Sequence, residues 1–247
     1  IHHLRKGNLR SARIALAATA AAFAFLFFFL TLRGKATQAC PLNTLPDALA
    51  FLGWSILLLA FATGLSFHIH LLGAFTAPLV ILLLLPSVFA RRFPTFVRLN
   101  PLDPWVEFHA ALSLVAYGAF GIAAVAAVLY LVQENNLKSH RFGKTLFLLP
   151  PITELTLANA RMTDAGIFCL TISFIAGYLS NLPIPFFKLL TSCLIWLFFA
   201  ASAFLRYRRK STPRLQAILS IACFLLALIS FPIVHFLSVL SNLMPIP

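Results

Sequence analysis

The chain has 247 residues, of which 61% are hydrophobic and only 10% charged, against about half apolar and a quarter charged in a soluble domain. That balance excludes a soluble globular domain. A net charge of +13 can signal nucleic acid, but here Lys and Arg cluster between apolar runs, where the positive-inside charges of a membrane protein belong, so no nucleic-acid partner is expected.

Residues 1–13 form a basic flank with Arg5, Lys6, Arg10 and Arg13. A first membrane span is expected over residues 14–32, a run too long for the apolar core of a cleaved signal peptide. Arg33, Lys35 and the segment CPLNTLPD (residues 40–47) follow, then a second span at 48–67. His68-Ile69-His70 reads as a solvated turn, because two histidines two apart make a poor chelate on a helix. A third span covers 71–89 and is followed by Arg91, Arg92, Arg98 and the proline-rich loop RFPTFVRLNPLDP. The fourth span, 104–133, comes next.

Beyond it lies a basic loop with Lys138, His140, Arg141 and Lys144. Pro151 marks the start of an interfacial helix, ahead of a fifth span at 162–179. Arg161 and Asp164, three apart, are placed to pair there. A loop at 180–185 leads to a sixth span at 187–205, with Lys188 set to snorkel. The densest basic cluster, RYRRKSTPR, precedes a seventh span at 215–240 and the uncharged tail SNLMPIP. About seven spans of roughly 20 apolar residues predict an all-α, polytopic transmembrane bundle, one integral membrane domain over residues 1–247. Placing the cluster at residues 206–214 inside puts the N-terminus in the cytoplasm and the C-terminus outside.

The fourth span organises the rest. Its middle is rich in small residues (Ala110, Ala111, Ser113, Ala116, Gly118, Gly121), which let neighbouring helices approach closely. Its first turns carry Trp105, Glu107 and His109. An intramembrane histidine is a functional candidate by default. His235, near the outer end of the seventh span, is the second. The orientation puts both near one membrane face, where two imidazoles on facing helices can hold a haem iron. Pro232 is expected to kink the helix and aim His235. Ser113, on the His109 face, leaves room for a flat hydrophobic ligand or a close helix contact. Trp105 reads as an interfacial anchor, or as a stacking group over a porphyrin. The alternative for each histidine is a bond to a backbone carbonyl. The four cysteines form no CxxC pattern, and no phosphate loop, catalytic triad or CxxCH haem-attachment site is present.

The run His109-Ala-Ala-Leu-Ser-Leu-Val-Ala-Tyr117 resembles the H-x-x-L/V-S-x-x-x-Y helix of the cytochrome c assembly family, which includes CcsA-type haem lyases and HemX-like membrane proteins. The segment PLNTLPDALAFLGW (residues 41–54) is similar to that family's PLSNLYESLxFLxW, and the likeness continues through Leu149-Pro150-Pro151 and Gly177-Tyr178. The CcsA/HemX-like core is taken as 40–240. The resemblance implies haem handling at the outer face, with His109 matching one family histidine. Three other expected histidines fall at Ala39, Phe204 and Asn242, and the Trp-rich segment expected before span six is replaced by residues 180–188, without tryptophan.

The expectation is therefore a haem-binding accessory protein of cytochrome c assembly or haem trafficking, in the bacterial plasma membrane, without catalytic residues. Its cofactor-binding residues are His109, His235, Trp105, Ser113 and Tyr117, and its haem-iron ligands His109 and His235. Membrane lipid and other maturation proteins are the expected partners. The alternatives are a structural subunit of a larger membrane complex and a partner-dependent haem lyase component.

Overall fold

The computed structural model describes residues 2–37, 40, 42, 44–67, 72–90, 103–139, 150–180 and 186–243. They form seven α-helices: α1 (His2–Thr37), α2 (Leu45–Phe67), α3 (Leu72–Ala90), α4 (Pro104–Lys138), α5 (Ile152–Leu179), α6 (Phe186–Tyr207) and α7 (Pro213–Leu243). Six of these are long and apolar enough to cross a membrane. The remaining one, α3, has an apolar stretch over Phe75–Pro86, with Pro78 and Pro86 inside the helix. The expected all-α polytopic bundle is what forms.

At about 1.5 Å per residue, the 35 residues of α4 extend well past the roughly 30 Å hydrocarbon core. Its start is fixed locally. The Asp103 side chain accepts a hydrogen bond from the Trp105 amide at 3.1 Å, and Pro104 occupies the first helical position, where its missing N–H costs nothing. Glu107 in the first turn sits favourably at the positive end of the helix dipole.

α4 is the central strut, flanked by α5, α7 and α2. Small residues set those distances. A Cβ added to Gly118 would lie 2.6 Å from Ser55 Oγ and 3.3 Å from the Ile56 nitrogen, so α2 rests almost on the α4 backbone. Ser55 donates across this seam to the Leu114 carbonyl at 3.3 Å. On the α5 side, Phe120 lies directly over Gly166, where a Cβ would come within 2.3 Å of its ring. The other face of Phe120 stacks on Phe199 of α6, with centroids 3.6 Å apart and planes 6° apart. Both phenylalanines are fully buried.

Asn159 closes the centre. It donates to the Ala123 carbonyl at 2.8 Å and accepts from Ser220 at 3.3 Å, tying α4, α5 and α7 together at one buried amide. With Arg33 of α1 on Asp47 and Phe23 on Trp54, and with Val80 of α3 against Gly53 and Pro86 near Leu45, α2, α4 and α6 run one way and α1, α3, α5 and α7 the other. Phe25, Phe28, Phe168 and Tyr178 are exposed on the periphery, where an apolar surface suits lipid.

One local expectation differs from the structure. No separate interfacial helix precedes the fifth span: α5 is continuous from Ile152 to Leu179. Its polar opening stays in the bundle because Asn159 and Thr163 are buried, and the Thr163 hydroxyl donates to the Asn159 carbonyl at 2.8 Å. The Asp164 carboxylate pairs with Arg206 of α6, and Tyr207 donates to it at 3.2 Å. Arg206 thus reaches Asp164 from a facing helix. The histidines at 68 and 70, the loops 91–102, 140–149 and 181–185, and the Lys188 side chain lie outside the described residues.

Candidate functional site

His109 lies in the second turn of α4 and points at α5. Its Nδ1 is 2.7 Å from the Ser173 carbonyl oxygen. Ser173 Oγ stands 2.9 Å from the same nitrogen; a carbonyl has no proton to give, so the shorter contact is a hydrogen bond in the tautomer that carries its hydrogen on Nδ1. This contact reaches a helix backbone because residue 177, one turn further along α5, is glycine. A Cβ there would lie 2.9 Å from His109 Nδ1. A carbonyl oxygen has two lone pairs, so that of Ser173 can serve both its own helix and the imidazole.

The hydroxyls complete the junction. Ser113 Oγ is 2.6 Å from Ser173 Oγ, and Ser173 Oγ donates to the His109 carbonyl at 3.0 Å. With Ser113 as donor to Ser173, every proton in the set has an acceptor. Ser173 is fully buried and His109 half-buried. The consequence for the imidazole is chemical. With Nδ1 protonated, the neutral ring presents its lone pair at Nε2, and no described residue hydrogen-bonds to Nε2.

Around this end a second polar set holds α1, α2 and α4 in place. Arg33 of α1 forks onto Asp47 of α2, with Nε to Oδ1 at 2.9 Å and Nη2 to Oδ2 at 2.8 Å. Asp47 is only 2% exposed, and Thr44 donates to it at 2.6 Å. The Cys40 amide donates to Glu107 Oε1 at 3.2 Å, which fastens the α1–α2 loop to the first turn of α4. Burial pushes the Cys40 thiol pKa up, and the neighbouring Glu107 carboxylate adds to the rise.

An apolar cleft of about 380 Å³ lies between α2, α3, α4 and α7, and Tyr117 is part of its wall. The sequence candidates are thus distributed over different places. His109 and Ser113 meet at the Ser173 junction. Tyr117 lines the cleft, and Trp105 is exposed. α7 runs helically past position 235, but the His235 side chain lies outside the described residues. Gly121 against Phe224, with Tyr117 and Leu228 lining one cleft, gives an antiparallel register that brings position 235 of α7 to the depth of position 109.

Sequence reasoning missed Ser173 and Asn159. The available signal for Ser173 was its spacing from Gly177, a small-x-x-x-small pair that lets a neighbouring helix approach. Asn159 falls within the expected interfacial helix, although a lone amide in a helix that crosses a membrane is itself a sign of a buried partner.

A profile of the family described as "Cytochrome C assembly protein" matches residues 42–241. The chain is 27% identical over 198 residues to Protein HemX of Brevibacillus brevis, a match that covers 77% of this chain and 73% of that one. It is 27% identical to Protein HemX of Bacillus subtilis (strain 168), covering 50% of this chain and 47% of that one. It is 29% identical to the Cytochrome c biogenesis protein CcsA of Chlorella vulgaris, covering 50% of this chain and 39% of that one. No solved structure matches. A helical bundle with His109 on its central strut, matched by that profile over nearly all of α2 to α7, makes this chain a multi-pass membrane protein of the cytochrome c assembly family.

Proposed function

We propose that this protein binds haem as an accessory component of cytochrome c assembly or haem trafficking in the bacterial plasma membrane, with His109 Nε2 as an axial ligand. The observation that carries this reading is the Nδ1–H of His109 held on the Ser173 carbonyl at 2.7 Å. Histidines that ligate metals commonly donate their other ring nitrogen to a carbonyl in this way, which fixes the ring and the tautomer. Among the described residues no three His, Cys, Asp or Glu side chains converge on one point. A single oriented imidazole suits an iron already held by a macrocycle better than a bare ion. Haem would bring redox-active iron. The chain's own share is to orient the imidazole and to keep its proton on Nδ1.

His235, level with His109 by register, is the proposed second ligand, and Trp105 and Ser113 flank the approach. The two HemX proteins come from bacteria, which supports the plasma-membrane location. Membrane lipid and other maturation proteins are the proposed partners. The test is the absorption spectrum, oxidised and reduced, of protein purified in detergent after expression with ample haem. A Soret band that is shifted or lost in His109→Ala is expected, and a colourless parent protein overturns the reading.

The same junction favours one alternative, a structural subunit in which His109 only ties α4 to α5. That reading expects His109→Ala to lower stability, with no haem absorbance in either protein.

A further inference from the structure

The cleft beside α4 has a chemistry of its own. α2 contributes Leu49 and Leu52, α3 Leu83 and Pro86, and α7 Phe224 and Ala227. Its volume of about 380 Å³ falls in the range of small-molecule sites, roughly 300–1,000 Å³. It exists because α3 packs chiefly on α2, and α7 chiefly on α4. The two outer helices leave a slot over the α2–α4 seam. Leu82, on its edge, is 59% exposed, so the slot opens sideways toward lipid.

The one side-chain polar group in this lining is the Tyr117 hydroxyl. No described residue hydrogen-bonds to it. Hydroxyls withdrawn from water without a partner are costly. Tyr117 is also deep: thirteen residues beyond Pro104 at 1.5 Å each put it about 20 Å along α4. A phospholipid keeps its ester carbonyls at the interface, so at this depth it offers only hydrocarbon. The cleft lining also includes no imidazole or thiol, so it lacks an axial ligand for a porphyrin.

We propose that this cleft binds an isoprenoid quinone, a small ring with carbonyl acceptors on a long hydrocarbon tail. The ring lies among the leucines with a carbonyl accepting from the Tyr117 hydroxyl, and the tail leaves past Leu82 into the bilayer. Such a molecule is apolar enough to reside at that depth and carries an acceptor that no described residue offers the phenol. The proposal concerns binding alone and is independent of the haem reading.

The test is a calorimetric titration of detergent-purified protein with a decyl-substituted benzoquinone. Saturable binding is expected. Tyr117→Phe, which keeps the ring and the packing, should weaken it about three- to tenfold, the worth of one hydrogen bond. Leu82→Trp on the exposed rim should block entry. Absence of saturable binding overturns the proposal. So does equal affinity in Tyr117→Phe, or an equally tight isotherm with dodecane in place of the quinone, since either makes the occupant plain hydrocarbon.

Discussion

The imidazole of His109 and the backbone of Ser173 are joined through a gap that Gly177 leaves open: Nδ1 stands 2.7 Å from the carbonyl, and a Cβ at 177 would stand 2.9 Å from the same nitrogen. Gly177→Ala should therefore lever the ring off the carbonyl without touching the histidine itself. Overpacking of this kind costs about 1–3 kcal/mol, readable as a lower midpoint in detergent denaturation. If His109 ligates haem, the Soret maximum should move in the same variant. Unchanged stability and an unchanged spectrum together would show that the ring had not been held there.

Phe120 has a glycine on one face and a phenylalanine on the other. A methyl at position 166 would lie 2.3 Å from its ring, and Phe199 stacks 3.6 Å away, so the ring has nowhere to retreat. Gly166→Ala should destabilise by about 1–3 kcal/mol. Adding Phe120→Leu should recover part of the loss, because the shorter side chain vacates the clash. Additive losses in the double variant would count against the wedge.

Arg33 neutralises a carboxylate that is almost wholly shielded. Arg33→Ala strands the buried Asp47 charge and should cost about 3 kcal/mol. Arg33→Ala combined with Asp47→Asn should be milder than Arg33→Ala alone, since the stranded charge is gone and Thr44 can still bond the amide. A double-variant loss equal to the sum of the singles would deny the coupling.

Cys40 should be a slow thiol. A raised pKa leaves less thiolate at a given pH, and the thiolate is the nucleophile. Its alkylation by iodoacetamide should therefore rise with pH along a curve displaced upward from that of a free cysteine. Glu107→Gln removes the smaller of the two causes, so the curve should move only part of the way back. Competing cysteines are resolved by mass spectrometry of the alkylated peptide.

The bundle was legible because its signal is coarse. Apolar runs of membrane length separated by Arg and Lys clusters gave helix positions that match α2, α3, α6 and α7 to within a few residues. The small residues of α4 announced close packing, and Gly118 against Ser55 is that packing. The partners of charges were less legible. Asp164 is met by Arg206, forty-two residues on, which faces it from α6 and has no mark in the local pattern. Which helix lies alongside which is set by packing that no local pattern encodes. For the same reason His109 and Ser113 could be placed on one face of α4, while Ser173, the residue that gathers them, had no local mark apart from its spacing to Gly177.

The seam between Gly118 and Ser55 also bears on how the bundle is made. α2 emerges during synthesis well before α4, and α3 comes between them. Until α4 is inserted, the face of α2 around Ser55 has only lipid or the insertion machinery to cover it. A bulky residue at 118 would thus do its damage at a late stage, when the three helices made before α4 wait for a fourth that no longer fits.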